Sequence, residues 1–92
     1  MFGQRVGQVA VSATKSMHGH LMGAAGVMEA IVTLLAVERR SIPPTAFLDE
    51  LDPDCAGPRH VTRGEVGTPL RVALSSSFAF GGSNAVLAFR PA

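Results

Sequence analysis

The sequence predicts a small α/β protein in which a helix covers one face of a sheet. Three observations favour this fold class. Short β-branched runs lie near both ends of the chain, a long segment rich in alanine and leucine occupies residues 20–40, and five of the six prolines fall within residues 43–69. The predicted order of elements is therefore β-α-loop-β-β.

The first half of the chain predicts one strand and one long helix. Residues 8–12 read QVAVS, a run typical of a strand. The helix is predicted from about His20 to Arg40, with residues 16–19 supplying its first turn and its cap. It ends near Arg40 because the proline pair at 43–44 cannot continue a helix and the preceding arginines suit its C-terminal dipole.

The second half predicts a loop followed by two strands. Residues 43–69 are rich in proline and aspartate, which indicates a loop with a short extended piece at 60–62. Residues 71–75 (RVALS) and 85–90 (AVLAFR) are predicted strands. The glycine-containing stretch 78–84 between them predicts a turn, so the two strands form a hairpin or an adjacent pair.

Composition excludes several classes of protein. A net charge of +1 with scattered arginines provides no basic stripe for nucleic acid. A single cysteine excludes a disulfide framework and favours the reducing cytoplasm. The opening residues lack the basic and apolar regions of a secretory signal. We therefore expect a cytoplasmic protein that does not bind nucleic acid.

The predicted helix is apolar on nearly every side across residues 21–37. A membrane span needs about 20 such residues, and Glu29 interrupts this run at its middle. A helix that is apolar all round normally lies inside a larger body. Since 92 residues can hardly surround it, we expect the chain to be part of something larger with no membrane span. A small membrane-associated protein stays open as an alternative.

Two histidines at the predicted start of this helix are the first candidates for chemistry. The positive end of a helix dipole favours a neutral imidazole that can donate a hydrogen bond, which suits His20. His18 and His20 could also bind a metal, but no third ligand pattern follows, so no metal site is predicted. A capped helix start packed with small residues explains the same sequence without chemistry.

Three further features are less specific. Glu29, within the apolar helix, either meets a cation such as Lys15 or faces water. The glycine pair Gly81–Gly82 follows a strand and can expose backbone N–H groups to an anion, or it can form a tight turn beside two buried phenylalanines. Cys55 lies in a loop without a basic neighbour, so we do not expect it to be a nucleophile.

Taken together, these segments resemble the β-ketoacyl-acyl carrier protein synthases. Residues 12–26 (SATKSMHGHLMGAAG) are similar to the family's TKS-x-x-GH-x-x-GAAG segment, and residues 42–45 (IPPT) are similar to the PPT that follows it. Residues 76–84 (SSFAFGGSN) resemble its NSFGFGG-T-N signature. The resemblance is strongest to the elongating, type II synthases with their polyketide and Nod-factor relatives.

The resemblance implies the C-terminal part of a thiolase-like fold and an acyltransferase reaction of fatty acid or polyketide biosynthesis. In that family an acyl group sits on a cysteine, and malonyl-acyl carrier protein loses CO2. The resulting enolate attacks the acyl thioester in a decarboxylative Claisen condensation. No cofactor is implied, because the substrates travel on the phosphopantetheine arm of acyl carrier protein. The family is typically dimeric.

By the same resemblance, His20 is the catalytic histidine that donates a hydrogen bond to the malonyl thioester oxygen. Lys15 matches the family's catalytic lysine, and Glu29 matches the supporting glutamate that pairs with it.

The resemblance also assigns the glycine-rich stretch to a substrate gate and oxyanion loop. This loop comprises Phe78, Phe80, Gly81 and Gly82, with Phe80 as the gating residue whose backbone N–H serves the oxyanion.

The chain departs from the family in three ways. Ser76 replaces the usual asparagine, which puts a monovalent-cation site in doubt, and Ala79 replaces a glycine of the gate. The family's nucleophilic cysteine and first catalytic histidine lie in an upstream half that residues 1–92 do not contain. We therefore expect residues 1–92 to be a partial C-terminal synthase domain that is inactive alone and needs that half as a partner. A non-catalytic partner subunit, similar to a chain-length factor, is the alternative.

Overall fold

The computed structural model describes residues 1–92 and has the α/β character that the sequence predicts. The chain divides into two compact units. The first unit consists of Met1–Gly19 and Ile42–Glu65, and the second consists of His20–Ser41 and Val66–Ala92. The short strands β2 (Ser41–Ile42) and β4 (Glu65–Val66) form a two-stranded sheet.

The first unit is built around a parallel pair of two-residue strands. Strand β1 (Ala10–Val11) pairs with β3 (Arg59–His60), and the Val61 N–H extends the ladder by donating to the Val11 carbonyl at 2.9 Å. Val61 is 2% exposed, the lowest exposure among the buried apolar side chains. The predicted first strand is shorter than expected because a 3-10 turn, Gly3–Gln8, occupies the residues before it.

Polar groups tie the loops of the first unit to this strand pair. Ser12 Oγ donates to the Pro43 carbonyl, and the Ala13 N–H donates to Thr45 Oγ1 at 2.9 Å. The Thr45 N–H donates in turn to the Val61 carbonyl at 2.7 Å. The proline-rich segment is therefore held by specific hydrogen bonds rather than by a large apolar core.

Arg59 and Glu65 form a bidentate ion pair across the turn that ends the first unit. Arg59 Nη1 donates to Glu65 Oε1, and Nη2 donates to Oε2 at 3.3 Å. The hydrogen bond to the Glu65 carboxylate raises the pKa of the exposed Arg59 guanidinium. Because the guanidinium is already charged throughout the neutral range, this pair adds no pH dependence there.

The second unit packs one helix against one hairpin. Helix α2 (Ala25–Arg39) contacts both strands of an antiparallel pair, β5 (Ala73–Phe78) and β6 (Asn84–Phe89). The pairing runs from Ala73 opposite Phe89 to Phe78 opposite Asn84, which is a hairpin of the kind expected. Its first strand continues three residues further than predicted, through the serines that precede Phe78.

The start of the long helix differs from the prediction. A single turn, α1 (Lys15–His18), ends at Gly19 with φ +79°, and a 3-10 turn (Met22–Ala24) precedes α2. The N-cap of α2 is Ala24, which makes no side-chain cap hydrogen bond, so the predicted cap within residues 16–19 is wrong. The left-handed backbone of Gly19, together with Met22 at φ +49°, interrupts the helical path.

The end of α2 agrees with the prediction. Arg40 closes the helix in the left-handed conformation, with φ +50°, and its N–H bonds to the last helical carbonyls. This is the left-handed type of C-terminal cap.

No helix in the structure is both long enough and apolar enough to cross a membrane.

Candidate functional site

His20 lies in the link between α1 and α2, not at the start of the long helix as predicted. Its side chain is exposed, and its Nδ1 accepts a hydrogen bond from the Met22 N–H at 3.2 Å. A ring nitrogen that accepts from an N–H carries no proton, so the proton of the neutral imidazole resides on Nε2. The local turn therefore favours the Nε2–H tautomer of the neutral ring, which leaves Nε2–H as the hydrogen-bond donor that the sequence analysis expected of His20.

His18, two residues earlier, has a different environment. Its Nδ1 must donate to the Gly19 carbonyl, 2.8 Å away, because a carbonyl oxygen can only accept. In the neutral ring Nε2 then accepts from Thr14 Oγ1 at 3.0 Å. Both ring nitrogens of His18 are thus engaged within the chain, whereas the Nε2–H of His20 is carried on an exposed ring. The structure distinguishes two histidines that look alike in the sequence.

Lys15 and Glu29 lie in different units and different helices. Lys15 is the exposed first residue of α1, and its carbonyl accepts from the Gly19 N–H at 2.7 Å. Glu29 is half-buried in the second turn of α2, and its carbonyl accepts from Thr33 Oγ1 at 2.7 Å.

The hairpin tip carries the four predicted gate residues. Phe78 and Phe80 are 75% and 103% exposed, so the interpretation of a tight turn beside two buried phenylalanines is wrong. Gly81 and Gly82 have φ values of +78° and +79°, which side chains rarely adopt and which explain why glycine occupies both positions. The tip therefore presents two aromatic rings on a glycine-dependent turn.

The two residues that depart from the family pattern lie on either side of Phe78. Ser76 is exposed on β5, opposite Val86. Ala79 is extended, with φ −123°, and its N–H donates to the Ser83 carbonyl at 2.8 Å, which closes the base of the tip. A backbone with this φ accepts alanine as readily as glycine, so the substitution imposes no strain at this position.

Cys55 is exposed at the end of a 3-10 turn, Pro53–Cys55. The turn begins with the Asp54 N–H donating to Asp52 Oδ1 at 2.9 Å, and His60 Nε2 donates to the Cys55 carbonyl at the same distance. These bonds hold the backbone of the turn, and neither of them involves the Cys55 sulfur. Nowhere in the chain do three or more His, Cys, Asp or Glu side chains come together in a way that could hold a metal ion.

Sequence reasoning missed the role of Thr14. This residue is 9% exposed and directly precedes α1, where its hydroxyl contacts the His18 ring and its carbonyl accepts from the Met17 N–H at 2.9 Å. The spacing of four residues between Thr14 and His18 matches one helical turn and is the only signal in the sequence that could have indicated the contact.

Residues 1–49, which carry Lys15, His20 and Glu29, match the family model described as beta-ketoacyl synthase, C-terminal domain. Because this match covers more than half of the chain, the protein belongs to the β-ketoacyl synthase family. The hairpin with its aromatic tip follows the matched region.

Individual relatives extend the similarity over nearly the whole chain. Nodulation protein E of Rhizobium sp. (strain N33) is 44% identical over 93 residues, which cover 98% of this chain and 22% of the relative. The 3-oxoacyl-[acyl-carrier-protein] synthase 1 of Escherichia coli (strain K12) is 48% identical over 81 residues, which cover 88% of this chain and 20% of that synthase. Synthase 2 of Synechocystis sp. is 43% identical over 88 residues. The chain thus spans about a fifth of the length of the curated relatives it matches.

Proposed function

We propose that these residues supply the C-terminal part of the active site of an elongating 3-oxoacyl-acyl carrier protein synthase with a thiolase-like fold. The reaction is a decarboxylative Claisen condensation. Malonyl thioester loses CO2 to leave an enolate, and the enolate carbon attacks an acyl thioester held on a cysteine. A carbon–carbon bond forms, the acyl–sulfur bond breaks, and the cysteine leaves as thiolate.

The observation that carries this proposal is the hydrogen bond from the Met22 N–H to His20 Nδ1. The Met22 N–H occupies Nδ1, so an exposed Nε2–H remains as a donor. When malonyl thioester loses CO2, negative charge builds on the thioester oxygen. A neutral donor aimed at that oxygen binds it more tightly in the transition state than in the ground state, which lowers the barrier.

Lys15 and Glu29 support the same step in our proposal. Lys15 is an exposed cation on the turn that leads to His20, and we assign to it the stabilisation of the anionic substrate. Glu29 is half-buried in α2 and provides the negative charge that balances the lysine, as the family pattern implies. Retention of all three residues favours a catalytic chain over a purely structural one.

The hairpin tip serves as the substrate gate. Phe80 is fully exposed beside two glycines with left-handed backbones, so the ring can change position with little steric cost. We assign the backbone N–H of Phe80 to the oxyanion hole and the rings of Phe78 and Phe80 to closure over the acyl chain. Because Ser76 replaces an asparagine, we propose no monovalent-cation site at this loop.

The partners follow from the same reaction. The substrates arrive on the phosphopantetheine arm of acyl carrier protein, so the chain needs no cofactor of its own. The nucleophilic cysteine comes from an upstream synthase half in a dimeric, cytoplasmic enzyme of fatty acid or polyketide biosynthesis. The single, exposed Cys55 is consistent with a reducing compartment. Residues 1–92 alone are inactive in condensation.

The experiment that tests this proposal joins the chain to the upstream half of a related synthase. A chimera is made in which this chain replaces the matching C-terminal residues of the E. coli synthase 1, and malonyl decarboxylation is measured separately from acylation of the cysteine. Loss of one hydrogen-bond donor to the oxyanion raises the activation free energy by about 2.7–4 kcal/mol, which lowers the rate by a factor of roughly 10²–10³. We expect His20→Ala to slow decarboxylation by this factor and to leave acylation nearly unchanged.

The matched control is Ser16→Ala, which changes an exposed residue of α1, the turn that leads to His20. Equal effects of Ser16→Ala and His20→Ala on decarboxylation would contradict the role of His20. A lower melting temperature with normal turnover of the folded His20→Ala enzyme would show that His20 only packs the turn. In that case the alternative, a non-catalytic subunit similar to a chain-length factor, is favoured.

A further inference from the structure

Gly19 immediately precedes His20, and both of its backbone polar groups are hydrogen-bonded. Its N–H donates to the Lys15 carbonyl at 2.7 Å, and its carbonyl accepts from His18 Nδ1 at 2.8 Å. The residue itself has φ +79° and ψ 174°, and nothing lies within 4 Å of the position that a Cβ would occupy. A side chain at this position would meet no neighbour, and the two hydrogen bonds are the contacts that hold the Gly19 backbone.

The His18 ring that holds the Gly19 carbonyl is itself held from the opposite side. Its Nε2 contacts the hydroxyl of Thr14 at 3.0 Å, and Thr14 is only 9% exposed. The ring is half-buried and is bonded at both nitrogens. A continuous path of hydrogen bonds thus leads from a buried hydroxyl through an imidazole to the Gly19 carbonyl.

The Gly19 carbonyl and the His20 N–H belong to one peptide group. A peptide group is planar, so a bond that fixes the direction of the carbonyl also fixes the direction of the N–H that begins His20. Without that bond a glycine samples both signs of φ at little cost. The direction in which the backbone enters His20 therefore depends on the His18 ring.

We propose that His18 is a positioning residue, which orients the Gly19–His20 peptide and thereby favours the turn in which the Met22 N–H binds His20 Nδ1. The inference rests on the proposed function, because the orientation matters for catalysis only if His20 donates from Nε2. His18 does not contact substrate in this proposal, since both of its ring nitrogens are used within the chain.

Two conservative substitutions separate the two bonds of His18. The side-chain nitrogen of asparagine lies the same number of bonds from Cα as Nδ1, so His18→Asn retains a donor for the Gly19 carbonyl. The side-chain amide of glutamine corresponds in the same way to Nε2, so His18→Gln retains only the contact with Thr14. His18→Ala removes both, and Ser16→Ala is the control on the same turn.

The first measurement uses the full 92-residue chain labelled with ¹⁵N. Long-range ¹H–¹⁵N spectra report which ring nitrogen of His20 carries the proton, and mass spectrometry reports the exchange rate of the Met22 amide even if the chain associates. The net contribution of one hydrogen bond shifts an equilibrium between two conformations or tautomers by about two- to tenfold. We expect His18→Ala and His18→Gln to lower the ratio of Nε2–H to Nδ1–H tautomer in His20 by this factor and to accelerate Met22 exchange. We expect His18→Asn and Ser16→Ala to retain the original values.

The outcomes that overturn the proposal are distinct from failure of the proposed function. An unchanged His20 tautomer and unchanged Met22 exchange in His18→Ala would exclude positioning, as would failure of His18→Asn to restore them. Equal acceleration of exchange along α2 would indicate general destabilisation and would also overturn the proposal. If His20→Ala leaves decarboxylation by the chimera intact, the proposed function fails, while these measurements on His18 retain their meaning.

Discussion

The two units of the chain are stabilised in different ways. In the first unit, short strands and side-chain-to-backbone hydrogen bonds hold the loops, and Val61 is almost completely enclosed. In the second unit, α2 packs on a hairpin, yet Val27, Ile31 and Leu34 are 66%, 47% and 49% exposed. On a helix these three residues fall within an arc of about 60°, and we call them the apolar stripe.

This difference follows from the nature of the two kinds of interaction. A hydrogen bond needs a partner at one place and one angle, and the first unit provides such partners from its own loops. Burial of apolar surface needs area rather than direction, and 92 residues do not supply enough of it for the second unit. The first unit therefore holds its loops with hydrogen bonds from its own residues, whereas the second exposes an apolar stripe along its helix that is suited to association.

The largest expected effect concerns the apolar stripe. The triple substitution Val27→Gln, Ile31→Gln and Leu34→Gln should weaken self-association of the 92-residue chain by about a hundredfold, because three partly exposed apolar side chains together contribute about 3 kcal/mol when an association buries them. Sedimentation and dye binding to apolar surface measure the change. α2 should remain helical by circular dichroism, since glutamine is a good helix former.

The matched control places three glutamines at exposed apolar residues outside the stripe, namely Met17, Phe47 and Val66. If this control reduces association as much as the first triple does, the stripe has no special role. A chain that is a clean monomer with a sharp cooperative melt before any substitution would contradict the comparison between the two units altogether.

An intermediate effect is expected at the centre of the first unit. Val61→Ala removes two methyl groups from a side chain that is 2% exposed and should lower the free energy of unfolding by about 2 kcal/mol. Urea titration at low protein concentration measures this value. Val66→Ala, at a residue 90% exposed, should change it by less than about 0.5 kcal/mol. Similar losses for the two variants would show that the first unit has no enclosed centre.

The smallest expected effect tests one hydrogen bond. Thr45→Val keeps the shape of the side chain but removes the acceptor for the Ala13 N–H. Because Ala13 is exposed and water can replace the lost partner, we expect a decrease of only about 0.5–1 kcal/mol in the free energy of unfolding. Thr62→Val, at an exposed threonine of the same unit, is the control and should be neutral. A neutral Thr45→Val would indicate that this loop is held by backbone contacts alone.

The sequence predicted correctly those elements whose position depends on a few neighbouring residues. The end of α2 at Arg40 follows from the proline pair just beyond it, and the hairpin follows from two β-branched runs around a glycine pair. The family was also evident, since its motifs are contiguous. The start of α2 was predicted too early because nothing in the sequence shows that Gly19 and Met22 adopt positive φ.

By itself, the sequence determined the α/β class, the family and which residue types are available at the site, because each depends on neighbouring residues and on side-chain chemistry. The local backbone conformation decided that both ring nitrogens of His18 are hydrogen-bonded while His20 carries its Nε2–H on an exposed ring. Only the tertiary structure decided that Phe78 and Phe80 are exposed rather than buried in a core. The physical reason is that hydrogen-bond partners and exposure are set by where the backbone turns. Two histidines separated by one glycine differ in chemistry because that glycine has a positive φ.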